Sequence, residues 1–138
     1  MTDNTRLSVR PSEIVWKDQP ALAKGAKFAV LLGDLSKPGR YVFRLQVPAG
    51  HRAMPHTHPE ERVYTVLSGS FFLGFGEGYI ESRLEEYPAG SVVLVREGRH
   101  HFQLAKSDGY VVQVEGDGPT AVEYVNARDD PRIPKPST

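Results

Sequence analysis

The fold class this sequence predicts is all-β, a sandwich or barrel built from short strands. Three observations carry that prediction. Runs rich in Val, Tyr, Phe and Leu recur along the 138 residues, thirteen glycines and eleven prolines separate them, and helical periodicity is nearly absent. About eight strands at near-regular spacing fit a closed or doubly layered β architecture.

In chain order, strands are expected near "KFAVLL" and "RYVFRLQV", with the turn cluster "GDLSKPG" between them. Next come "RVYTVL" and "SFFLGF", which read as a hairpin turning at Ser68 and Gly69. The stretch "YIESRLEEY" carries Ile80 and Leu84 four apart and is long enough only for a helical turn. "SVVLV", "HHFQLA", "YVVQV" and "AVEYV" complete the set, separated by "KSDG" and "GDGP". The expected organisation is one domain over 1–138, with an N-terminal strap over 1–15 and a proline-rich tail over 127–138.

Composition narrows the function. Seventeen basic and seventeen acidic residues cancel, and no like-charge run exceeds two, so neither nucleic acid nor a membrane surface is an expected partner. No cysteine is present, which excludes thiolate nucleophiles, disulfides and sulfur-ligated zinc. No segment approaches about 20 apolar residues, and the first residues have no signal-peptide core. A soluble cytoplasmic protein is the expectation.

The chemistry concentrates in "PHTHPEER", residues 55–62. In an extended chain His56 and His58 share a face while Thr57 points away, so two imidazoles converge. The five histidines occupy only two places: His51, His56 and His58 in one, His100 and His101 in the other. Two such clusters can together supply the nitrogens of a metal site.

The segment 50–69, "GHRAMPHTHPEERVYTVLSG", resembles the first cupin motif, with Gly50, His56, His58 and Gly69 on its positions. The segment "GSVVLVREGRHHF" resembles the second, with Gly90, Gly98 and His101 in place and Arg96 where a proline is usual. The resemblance implies a double-stranded β-helix, or jelly roll, like that of the small RmlC-like bacterial cupins, with at most a short helical turn. It also implies a divalent transition metal (Fe, Mn, Ni, Cu or Zn) held by His56, His58 and His101. Strand parity turns His100 the other way, with Phe102. His51 is expected to be solvated or bonded to backbone.

The departure from the motif is at Arg62, where the family places a ligand glutamate. Glu61 and Glu60 are then the candidate fourth ligands. Alternation sets Arg62 with Tyr64 and Val66, and Glu61 with Val63, Thr65 and Leu67. If Arg62 points inward beside a cation, an anion between them and hence a carboxylate-bearing ligand is expected; the alternative is that Arg62 pairs with Glu60, Glu81 or another acid at the rim. Tyr64, and Gln103 on the face of His101, are further candidates for contacting it. No residue is assigned as general acid or base.

Three functions are weighed. The first is a metal-dependent enzyme of oxygenase, isomerase or lyase type acting on a small molecule. The second is a non-enzymatic module that holds or senses a small ligand, which needs a separate partner to regulate anything because no helix-turn-helix pattern is present. A metal-free epimerase is the third, and the preserved His-x-His argues against it. A homodimer is expected, covering exposed apolar strands.

Overall fold

The computed structural model describes residues 7–134 and is built almost wholly of antiparallel strands. In chain order these are β1 (Lys17–Asp18), β2 (Lys27–Leu32), β3 (Gly39–Val47), β4 (Arg52–Thr57), β5 (Arg62–Phe75), β6 (Glu85–Pro88), β7 (Val92–Val95), β8 (His101–Leu104), β9 (Tyr110–Gly118) and β10 (Glu123–Tyr124). The helical content among the described residues is three 3₁₀ turns, at Pro11–Glu13, Glu81–Arg83 and Ala127–Asp129. No helix among the described residues is long and apolar enough to cross a membrane. The expected strap and tail lie partly outside the described residues.

One sheet runs β1-β2-β3-β9-β5-β7. The other runs β6-β5-β8-β4-β10. Both contain β5, which is one continuous strand of 14 residues rather than the expected hairpin. Its first part pairs with β9 and β7, and residues from Ser70 onward pair with β6 and β8. The register slips between Val66 and Ser68, a bulge that lets the strand bend from one sheet into the other. Gly69 has φ +69°, and a methyl there would collide with the carbonyl oxygen of Gly109. The glycine therefore serves a close crossing of two backbones, not a two-residue turn.

Sequence reading missed β4. Its "RAMPHT" does not alternate cleanly and contains Pro55, yet the strand sits between β8 and β10. The β4–β8 register shifts between Ala53 and His56, so the proline falls where the ladder is already interrupted. "YIESRLEEY" divides into the 3₁₀ turn and β6.

The core lies between the sheets. Tyr41, Phe43, Leu45 and Val47 of β3 meet Tyr64, Val66, Phe71 and Leu73 of β5, all buried. Each contributes about 1.5–3 kcal/mol of apolar burial relative to exposure. The Tyr64 and Phe71 rings stack at 5.5 Å between centroids, and Tyr110 meets Phe71 edge-on at 4.9 Å. This rigid interior is the scaffold on which the histidines are mounted.

Candidate metal centre

His56 ends the inward face of β4, His58 follows just past the strand, and His101 opens β8 directly opposite His56. Strand parity thus aims all three rings into one space. One ring nitrogen from each lies within 4.8 Å of the other two. The ring centroids are 4.2 Å apart for His56 and His101, and 5.0 Å for each pair that includes His58. The backbone after His58 is held as well, because its carbonyl accepts the Gly98 N–H at 2.9 Å.

Each ring is oriented by a backbone carbonyl. Nδ1 of His56 donates to Met54 O at 2.7 Å, Nδ1 of His58 to Ala121 O at 2.8 Å, and Nδ1 of His101 to Arg99 O at 2.9 Å. That places the proton on Nδ1 and leaves the Nε2 lone pair facing the cluster. The Nε2 atoms of His58 and His101 are buried with no hydrogen-bond partner. Burial pushes the His56 and His58 pKa values well below the ordinary imidazole value, with the neighbouring His101 and the Arg62 charge, respectively, as the next contributions. Burial likewise pushes His101 down, to about 4. Three neutral imidazoles with converging ring nitrogens, two of them buried without a partner, fit a divalent transition metal, because a buried acceptor without a donor is costly in any other state.

Arg62 points inward with Tyr64 and Val66, while Glu61 faces outward and meets Arg96 at 3.4 Å. The carboxylate of Glu60 is buried, but it serves Arg62 rather than the histidines: Oε2 accepts from Arg62 Nε at 3.3 Å and from the Tyr41 hydroxyl at 2.5 Å. Neither glutamate belongs to the group of converging ligand atoms. The other guanidinium nitrogens donate to the Tyr64 hydroxyl at 3.3 Å and to Thr120 Oγ1 at 2.6 Å. Burial opposes the Arg62 charge, but the oxygens of Tyr64, Tyr41 and Glu60 outweigh it and raise its pKa.

A pocket of about 280 Å³ opens above this cluster, and His56, His58, Arg62, Tyr64 and Gln103 form its floor. His100 is half-exposed and faces Glu77 at 3.8 Å, away from the cluster. His51 is buried with Nε2 3.0 Å from Ala23 O, the backbone-bonded arrangement. Phe71 and Phe102 are fully buried in the interior, and the phenylalanines that line the pocket are Phe28 and Phe43. Sequence reading missed Tyr41, Thr120 and the Ala121 carbonyl; only the alternation of Tyr41 with Phe43 and Leu45 along β3 signalled an inward Tyr41.

The family model for the ChrR Cupin-like domain matches residues 4–119. A search of curated proteins finds no match. Among solved structures, the chain is similar to the polyketide cyclase RemF from Streptomyces resistomycificus, at 19% identity over 91% of this chain and 89% of that one, with a TM-score of 0.74. It is also similar to the DMSP lyase DddQ from Ruegeria pomeroyi DSS-3, at 19% identity over 82% of this chain and 61% of that one, TM-score 0.65. An RmlC-like cupin from Shewanella frigidimarina NCIMB 400 shares 15% identity over 82% of this chain and 91% of that one, TM-score 0.63. At such identities the likeness is one of fold, the double-stranded β-helix.

Proposed function

Because the chain belongs to the ChrR cupin-like family, we propose that it is a metal-dependent enzyme acting on a small carboxylate-bearing molecule. The observation that carries the proposal is the set of three buried, neutral imidazoles, each locked by its own backbone carbonyl, two of them with no partner for Nε2. His56, His58 and His101 would hold the ion, and Fe, Mn, Ni, Cu and Zn all suit a nitrogen donor set. A bound divalent ion supplies Lewis acidity toward a ligand oxygen, and the open positions left by three protein ligands are what such chemistry requires.

The chain's own residues select the ligand by charge. Three neutral rings bring no negative charge, and the buried Glu60–Arg62 pair balances itself. A loaded site therefore holds uncompensated positive charge in a place sheltered from water, which favours an anion. The Tyr64 hydroxyl already accepts from Arg62, so its proton is free to donate to a ligand oxygen. Gln103 lies on the same floor, where its carbonyl oxygen accepts from Tyr110 at 3.4 Å and its amide nitrogen makes no hydrogen bond among the described residues. Both can orient a carboxylate. That the same fold carries a polyketide cyclase and a DMSP lyase supports the enzyme reading over a purely ligand-holding one.

The test starts from protein purified without chelators or a histidine tag, with metal counted by mass spectrometry; about one equivalent per chain is expected. Metal-free protein is then reloaded with each candidate ion and incubated with a panel of small carboxylates followed by NMR. Consumption of a carboxylate by one loaded form supports the enzyme. Tight binding with every compound returned unchanged supports the ligand-holding alternative, and absence of metal uptake ends the metal-dependent enzyme reading. A homodimer covering exposed Val92 and Leu94 is part of the same proposal, checked by light scattering.

A further inference from the structure

The two ends of the pocket differ chemically. Its floor is polar, as described, but the wall rising from it is formed by Leu22, Phe28, Leu35, Phe43 and Leu45. Phe43 and Leu45 are inward residues of β3, 4% and 6% exposed, so this part of the wall is fixed by the core rather than by a loop. Phe28 and Leu35 pack against the same core and are only partly buried.

The charged groups and hydroxyl at the rim are already engaged, and the Gln19 amide nitrogen is a neutral donor left over there among the described residues. Ser36 donates to Asp34 at 2.7 Å, and the Gln19 side-chain carbonyl accepts the Ala21 N–H at 3.0 Å. Arg132 is held by both carboxylate oxygens of Asp130, at 2.8 and 3.0 Å, and donates to Val122 O at 2.7 Å. Among the described residues, then, the one guanidinium on the floor is Arg62 and no rim cation is open. A second carboxylate or a row of hydroxyls on the ligand would lie against leucine and phenylalanine without partners, which is strongly unfavourable.

From this asymmetry we infer that the ligand is an amphipathic monocarboxylate, with its single carboxylate at the floor and an apolar chain or single ring along the Leu22–Phe28–Phe43–Leu45 wall. The inference rests on the metal-centre reading and specifies its substrate class. A volume of about 280 Å³, at roughly 30 Å³ per water-sized group, holds about nine heavy atoms: three of the carboxylate and about six of the body. Dicarboxylates and sugar acids are excluded by the same wall that accepts the chain.

The experiment titrates zinc-loaded protein calorimetrically with straight-chain carboxylates from acetate to decanoate, with adipate and gluconate as polar counterparts. Affinity is expected to rise about fourfold per methylene, the equivalent of about 0.8 kcal/mol, and to level off near seven carbons. Adipate is expected to bind about tenfold or more weakly than hexanoate. Leu35→Ser, in the turn between β2 and β3, and Phe28→Ser on the rim should each flatten the series, whereas Ile80→Ser, exposed and outside the pocket lining, should leave it unchanged. A flat series on zinc-loaded wild type, adipate matching hexanoate, or full slope retained in both wall variants would overturn the inference while leaving the metal centre intact. Failure to take up zinc would overturn the metal-centre reading and the inference with it.

Discussion

Replacing Arg62 by methionine tests whether the Glu60–Arg62 pair is truly interior. Arg62 is 6% exposed and Glu60 9%, with 3.3 Å between Nε and Oε2. Methionine keeps much of the stem volume but strands a buried carboxylate whose Oε1 already lacks a partner and whose remaining donor is the Tyr41 hydroxyl. Removing one member of a buried pair costs about 3–5 kcal/mol. The outward pair Arg96–Glu61 has nearly the same separation, 3.4 Å, but side chains 75% and 45% exposed, so Arg96→Met should cost less than about 1 kcal/mol. The double variant Glu60→Gln, Arg62→Met removes both charges and should recover about 2 kcal/mol or more of the loss. What stays lost is the donation to Tyr64 and Thr120, at about 1 kcal/mol each. Urea denaturation of metal-free protein at pH 7, followed by circular dichroism, measures all three variants. A loss below about 1 kcal/mol for Arg62→Met, with no recovery in the double variant, would refute the buried-pair account. Because the single substitution perturbs stability so strongly, the double variant is the better background for measuring what Arg62 contributes to carboxylate affinity.

His101→Ala should weaken metal binding by more than the roughly 10–100-fold typical of losing an outer partner, while His100→Ala, half-exposed beside Glu77, should leave it near wild type; equal losses by competition titration would show that the wrong histidine had been chosen. Metal-free protein should lose stability as pH falls from about 6.5, where an unfolded histidine takes up its proton, toward the folded His101 value of about 4. Within that window the unfolded chain binds more protons, so unfolding free energy rises with pH, and His101 alone accounts for roughly 3 kcal/mol; thermal midpoints that stay flat between pH 7 and 5 would contradict it. Gly69→Ala should cost about 2 kcal/mol or more through its positive φ and the clash with Gly109, whereas Gly78→Ala, with open space around it, should be near neutral in the same denaturation assay.

The strand-rich pattern and its punctuation were enough to predict an all-β fold, and the two motifs matched the cupin topology. What composition could not convey was continuity. Ser68–Gly69 looks like a hairpin because glycine is the usual signal for a turn, yet here it permits two backbones to cross while the strand runs on. Strand β4 went unread, and its Pro55 falls where a register shift has already interrupted the ladder that proline cannot complete. Both misses arise where β4 and β5 are irregular, and the β4 irregularity directly precedes His56.

At the site, legibility followed side-chain type. Histidines at strand parity were visible, as was the sharing of one face by Arg62 and Tyr64, because alternation along one strand needs no tertiary information, but neither face was apolar enough to show which one turns inward. The partner of Arg62 was less visible, since Glu60 and Glu61 are adjacent in a turn and only the turn's geometry sends Glu60 inward to Tyr41 and Arg62 while Glu61 meets Arg96 outside. Least visible was the segment 120–122, which orients His58 through the Ala121 carbonyl and holds Arg62 through the Thr120 hydroxyl. That segment is fastened by Thr120 N–H to Leu35 O at 2.8 Å, and just beyond it by Val125 N–H to Pro55 O at 3.0 Å and the Tyr124 hydroxyl to Ala21 O at 2.6 Å. Its anchors at Leu35 and Ala21 themselves line the pocket. The direction of one imidazole, the position of the one floor guanidinium and the shape of the apolar wall are therefore fixed by a common set of bonds. Since the decisive acceptor among them is a main-chain oxygen that every residue type possesses, no pattern of side chains could have announced it.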